Sequence, residues 1–193
     1  MSPKKELVII AGPNGSGKTT FARAFIREKG YRFLNADEIN KELQIENKNS
    51  NSIAAGKEYF KRLDLLLDKN KNLIIESTLS GKFMGRLIKR LEQKNYNITI
   101  IFVYLDSPQL CIARIKERVK KGGHAVPDSD VTRRYFRSCS NFWNQYKNKA
   151  AQWLLLNNSG DQIKRIAEGS GRSMLVNDEA LHVLFLKNTL SKK

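Results

Sequence analysis

The stretch GPNGSGKTT, residues 12–20, contains the residue types and spacing that hold a phosphate. Gly12, Gly17, Lys18 and Thr19 fit GxxxxGK[ST] in full. Glycines at those positions let backbone amides turn inward as an anion nest, and a helix beginning there points its positive end at the same spot. The pattern assigns Lys18 to the β- and γ-phosphates of a nucleoside triphosphate and the Thr19 hydroxyl to Mg²⁺. Asn14, Gly15, Ser16 and Thr20 complete the candidate nucleotide contacts. ATP is favoured over GTP, because no guanine-selecting NKxD stands in the expected place. A transporter-type ATPase is excluded, since Leu79-Ser80-Gly81-Lys82 lacks the second glycine and the glutamine of LSGGQ.

Phosphoryl transfer to a hydroxyl also needs a base near the γ-phosphate. Asp37, in the turn Asn35-Ala36-Asp37 after a short apolar run, is the candidate; an aspartate there can equally serve as a helix N-cap. Glu76 follows the apolar run Leu73–Ile75 and can order a metal-bound water or accept from an acceptor hydroxyl, a role Thr78 can share. Alternatively, Glu76-Ser77-Thr78 caps a helix near Gly81. Asp106, beside Ser107-Pro108, reads as a structural turn residue.

A basic stretch supplies cations. Arg114 and Arg118 share a helical face, Gly122-Gly123-His124-Ala125-Val126-Pro127 follows, and then Arg133-Arg134. This composition, pliable at the glycines and stiff at the proline, predicts a helical lid over about residues 114–137, whose arginines neutralise phosphoryl charge and whose closure excludes water.

The elements that must position these groups follow from periodicity. Strands are predicted at Glu6–Ala11, Tyr31–Leu34, Leu73–Ile75, Asn97–Leu105 and Trp153–Leu156, the fourth being central. Helices are predicted at Thr19–Lys29, with Phe21, Ala24 and Phe25 on one side, around Ile39 and Leu43, and at Ser52–Lys69 and Phe83–Leu91. Further helices run from Ser107-Pro108 to Lys121, from Asp130 with Val131, Tyr135, Phe142, Trp143 and Tyr146 inward, and from Asp178. The polar run Asn47–Asn51 breaks the chain, and Ile163–Val176 reads as an edge hairpin. Strands alternating with helices predict an α/β fold, a mostly parallel sheet between two helical layers, in one domain over residues 1–193.

With 35 Lys and Arg against 19 Asp and Glu, the net charge of +16 attracts polyanions without choosing among them. The longest apolar run is far too short to span a bilayer, and MSPKKE leads straight into a strand, so a soluble, cytoplasmic protein without a membrane partner is expected. Cys111 and Cys139 are far apart, with no histidine at metal-ligand spacing, and read as core thiols.

Taken in order, GPNGSGKTT, NADEI, IIESTLSG, IIFVYLDSP and ARIKERVKKGGHAVPDSDVTRRY resemble the zeta toxin family of P-loop kinases, especially its shorter bacterial members, over roughly residues 6–160. The resemblance implies a nucleotide-kinase-like fold and phosphorylation of the 3′ hydroxyl of the sugar in UDP-N-acetylglucosamine. By position it implies Lys18 and Thr19 on ATP and Mg²⁺, Asp37 as base, and Glu76 and Thr78 at the acceptor. Arg118 and Arg134, or its neighbour Arg133, would contact phosphates, with His124 on the acceptor side. Arg114 and Asn158 are assigned to the nucleotide, the latter because fold analogy places adenine near Asn157–Gly160. A small antitoxin covering the ATP site is the implied protein partner. Two other readings stay open: a kinase for nucleic-acid ends, motivated by the charge, and a non-catalytic ATP-gated interaction protein.

Overall fold

The structure is a computed structural model that describes residues 5–46 and 52–190; the predicted break at Asn47–Asn51 lies outside them. Seven strands form one sheet: β1 (Glu6–Ala11), β2 (Arg32–Leu34), β3 (Leu73–Ser77), β4 (Asn97–Tyr104), β5 (Gln152–Asn157), β6 (Lys164–Ser170) and β7 (Ser173–Val176). Their spatial order is β2-β3-β1-β4-β5-β6-β7. The first five run parallel, and β6 and β7 are antiparallel additions at one edge. β4 is therefore central, in keeping with its apolar run Ile100–Tyr104.

Among the described residues seven α-helices connect or flank the strands: α1 (Lys18–Lys29), α2 (Ala36–Glu46), α3 (Ser52–Asp68), α4 (Phe83–Gln93), α5 (Pro108–Lys120), α6 (Asp128–Asn141) and α7 (Glu179–Leu190). Successive β1 residues serve opposite faces of the sheet. Leu7, Ile9 and Ala11 join the large core beneath the other helices, while Val8 and Ile10 meet Ala22 of α1. With both faces covered, a buried parallel strand cannot alternate with polar residues, which is why β1 and β4 read as continuous apolar runs.

Three expectations need correction. On α1 the buried small residue is Ala22, and Ala24 is exposed, while Phe21 and Phe25 pack half-buried against the cluster that holds Val8 and Ile10. Over α3 the apolar residues Ile53, Tyr59, Phe60, Leu63, Leu66 and Leu67 recur at helical spacing, which predicts one inward face, yet Tyr59, Leu63 and Leu67 are buried while Ile53 and Phe60 are exposed. The long helix after Asp130 ends at Asn141 and continues as a π-helical turn, Phe142–Tyr146, whose Phe142 stacks on Phe102 of β4 at 4.4 Å between ring centres. Among the described residues no helix is long and apolar enough to cross a membrane.

Candidate active site

The end of β1 delivers the phosphate loop to the carboxyl edge of the sheet. Gly12 has φ +142°, and a Cβ there would stand 2.1 Å from the Val103 carbonyl oxygen, so the close approach of the loop to β4 admits only glycine. The loop closes through Gly12 N–H donating to Ser77 O at 3.2 Å. Asn158, at the end of β5, donates from Nδ2 to Ser16 O at 2.8 Å and fixes the loop from the other side. α1 begins at Lys18 behind Gly17, with no side chain capping its first amides. Asn14 Oδ1 and Ser16 Oγ are buried without hydrogen-bond partners. The uncapped amides and the unpartnered Ser16 hydroxyl are donors that suit a loop built to receive an anion, whereas Asn14 Oδ1 can only accept. Lys18 Nζ lies back on Pro13 O at 2.8 Å, and burial lowers its pKa despite the opposing pull of Glu76.

Glu76 lies within β3, opposite Ile10, rather than beyond its tip. Its Oε2 accepts from Thr19 Oγ1 at 3.1 Å and its Oε1 from Asn35 Nδ2 at 3.1 Å. Burial raises the Glu76 pKa against the lowering effects of Lys18, Thr19 and Asn35. Asn35 is the N-cap of α2: its Oδ1 accepts from the backbone N–H of Asp37 at 2.7 Å and of Glu38 at 3.2 Å. The capping alternative for Asp37 therefore fails, because its neighbour two residues earlier already does that work, and the Asp37 carboxylate is left exposed. The same holds for Glu76-Ser77-Thr78, since α4 starts after Lys82 with no side-chain cap. Asp106 is structural, its carboxylate accepting from Asn157 Nδ2 at 2.5 Å.

Asp37, Thr19, Arg23, Arg118 and His124 line one cleft of about 400 Å³. The far wall is the loop after α5, and its glycines act differently from the hinge read from sequence. Gly122, at φ +82°, donates to Val119 O, and Gly123 donates to Arg118 O at 3.0 Å, the paired bonds of a Schellman stop. Arg118 Nη2 then donates to His124 O at 2.7 Å, holding the loop against α5. Arg133 and Arg134 bind the Asp130 carboxylate at 2.7 and 3.1 Å and face a second cleft, of about 420 Å³, which contains Thr78. Arg114 Nη2 reaches Ser159 O at 3.5 Å, beside Asn158. Thr20 is exposed on the flank of α1.

The predicted residues thus gather in three places. Lys18, Thr19, Glu76, Asp37, Arg118 and His124 surround the loop's open side; Thr78, Arg133 and Arg134 form the neighbouring cleft; Arg114 and Asn158 lie behind the loop. Sequence reasoning missed Asn35, Arg23, Ser80 and Arg137. Asn35 was legible in principle as a good N-cap, whereas the other three are polar surface residues placed only by packing.

Phosphate loop, strand order and the Glu76 carboxylate on β3 beside Thr19 define a P-loop kinase. A family model described as an AAA domain, AAA_33, matches residues 7–139, and the chain belongs to that family. It is 26% identical over 167 residues to a cytidylate kinase of Archaeoglobus fulgidus, covering 79% of this chain and 85% of the relative. The structure of AvrRxo1-ORF1:-ORF2 with ATP matches all of this chain at TM-score 0.73 and 15% identity, and this chain spans 66% of that one. A structure of the PezAT chromosomal toxin-antitoxin system of Streptococcus pneumoniae matches at TM-score 0.62 and 18% identity, over 96% of this chain and 80% of the other. At such identities the two structures share the fold.

Proposed function

We propose that this chain transfers the γ-phosphate of ATP to a hydroxyl of a small anionic acceptor, with a UDP-sugar such as UDP-N-acetylglucosamine as the first candidate. The observation that carries the reading is Asp37: released from capping by Asn35, it shares a cleft with Thr19 and Arg118 beside the phosphate loop. In this reading Asp37 takes the acceptor's hydroxyl proton. The acceptor oxygen bonds to the γ-phosphorus as the bond from that phosphorus to the β,γ-bridging oxygen breaks, and ADP leaves. Lys18 swings from Pro13 O onto the β- and γ-phosphates, while Arg118 balances charge on the transferring group. Mg²⁺ would be held by the Thr19 hydroxyl, with Glu76 at 3.1 Å from that hydroxyl positioned to order a metal water, and its charge would offset that of the phosphates. Arg114 and Asn158 would flank the nucleoside.

The likeness to a protein of the PezAT toxin-antitoxin system supports a small antitoxin as protein partner. The charge of +16, which attracts any polyanion, motivates the nucleic-acid-end reading as the alternative. Incubation with Mg-ATP and UDP-N-acetylglucosamine, read by mass spectrometry, is expected to give an acceptor heavier by one phosphate. Absence of that product, together with phosphorylation of oligonucleotide ends under the same conditions, would replace the sugar reading with the alternative.

A further inference from the structure

The cleft beside Thr78 has a construction that the phosphate loop does not explain. Its floor is the turn from β3 towards α4, where Leu79 is 1% exposed and has φ +55°, a left-handed conformation that a buried leucine adopts only when its surroundings force it. Three bonds do the forcing. Leu79 N–H donates to Ser77 Oγ at 3.0 Å, Asn141 Nδ2 donates to Leu79 O at 2.7 Å, and Ser138 Oγ donates to Thr78 O. The strained residue is flanked by two hydroxyls that hydrogen-bond to each other, Thr78 Oγ1 and Ser80 Oγ at 2.7 Å. Since one hydrogen serves that bond, the other hydroxyl hydrogen is free to donate into the cleft.

The opposite wall is the arginine face of α6. Arg133, Arg134 and Arg137 line the cleft, and no carboxylate does. Asp130 braces Arg133 and Arg134 from one side, and Arg133, foremost, holds its carboxyl below the usual range. Arg137, exposed and one helical turn beyond Arg133, has no hydrogen-bond or ion-pair partner among the described residues. Planar guanidinium forks recognise anionic oxygens in pairs. Forks a turn apart, facing a free hydroxyl hydrogen, offer more donors than one carboxylate can use.

We infer that this cleft is a second phosphate site, distinct from the ATP loop, which grips the phosphate or diphosphate ester group of the acceptor through Arg133, Arg137 and the Thr78–Ser80 hydroxyl pair. The identity of the ligand as the acceptor rests on the kinase reading above; the existence of the anion site does not. Glu76, on β3, and Thr78, in the turn just past its end, are two residues apart, so an acceptor anchored here extends its hydroxyl towards the γ-phosphate while its own phosphates stay clear of the loop. Acceptors without a phosphate ester bind more weakly because they forgo the charge-assisted bonds to Arg133 and Arg137.

The test is calorimetric titration of pyrophosphate, with acetate as a carboxylate control, into the full chain saturated with Mg²⁺ and a non-hydrolysable ATP analogue. Pyrophosphate is expected to bind with the loop already filled, and acetate is not. Arg137→Gln and Ser80→Ala should each weaken pyrophosphate roughly tenfold while leaving affinity for the analogue unchanged, which also certifies the fold. No binding of pyrophosphate to the loaded protein, equal binding of acetate, or undiminished binding by Arg137→Gln would overturn the inference. Pyrophosphate binding that Arg137→Gln weakens, in a protein that phosphorylates no acceptor, would uphold the cleft and refute only the kinase reading.

Discussion

Replacing Asn35 by alanine is expected to damage the protein in two separable ways. The side chain, 6% exposed, caps α2 through Oδ1 and donates to the half-buried Glu76 carboxylate through Nδ2 at 3.1 Å. Loss of an N-cap costs about 1 kcal/mol. Loss of a hydrogen bond to a charged group costs about 1.5–3 kcal/mol, and the lower end applies because Thr19 still donates to Glu76. Asn35→Ala should therefore destabilise by roughly 2–3 kcal/mol. Asn35→Ser retains a capping oxygen but cannot reach Glu76, so it should recover about 1 kcal/mol of that loss. Urea unfolding at neutral pH measures both through the midpoint at constant slope. Phosphoryl transfer adds a second readout: a loosened first turn of α2 moves Asp37, so Asn35→Ala should lose more turnover than Asn35→Ser. Wild-type midpoints for both variants, or equal losses for both, would refute the assignment of Asn35 as the brace between Glu76 and Asp37.

Glu76 gives a pH test. Its folded pKa is raised above 4.5 by burial, so the folded state holds its proton more tightly than the unfolded chain; that contribution is complete below pH 4.5 and is lost as pH rises through the folded pKa. Glu76→Gln, which cannot ionise, should gain in stability relative to the wild type across that rise and lose the advantage towards pH 4.5, as measured by urea midpoints at several pH values. An advantage that does not vary with pH would contradict the burial of this carboxylate. Gly169 packs its α-carbon on the Trp153 ring, where an added Cβ would lie 2.6 Å from the indole. Gly169→Ala should destabilise by about 1–3 kcal/mol and shift the emission of tryptophan, whereas an unchanged midpoint would show that the edge hairpin sits elsewhere.

Sequence alone made the scaffold legible where physics leaves few choices. β1 and β4, covered on both faces, are apolar along Leu7–Ala11 and Ile100–Tyr104, and GPNGSGKTT between a strand and a helix can build little but an anion loop. Ser107-Pro108 was readable for the same reason, and its hydroxyl does accept from Leu110 N–H at 3.2 Å. The rest was decided by tertiary packing. Asn35 and Asp37 are both good caps two residues apart, and only the path of β2 into α2 determines which one caps and which one faces the cleft. Gly122-Gly123 fits a hinge or a helix stop equally well; the bonds to Arg118 and Val119 make it a stop. The direction of Arg133, Arg134 and Arg137 depends on how α6 lies against the turn at Leu79, which no local pattern encodes.

Asp37 is the most direct point of attack on the central claim. Single-turnover transfer from ATP to the acceptor, with ATP affinity determined on the same samples, should be compared between the wild type and Asp37→Asn. Because Asn35 does the capping, the variant should unfold at the wild-type midpoint and bind ATP as the wild type does, yet transfer phosphate about 10²–10⁴ times more slowly. Transfer at the wild-type rate by a folded, ATP-bound Asp37→Asn protein would show that the proton is taken elsewhere and that the cleft has been misread.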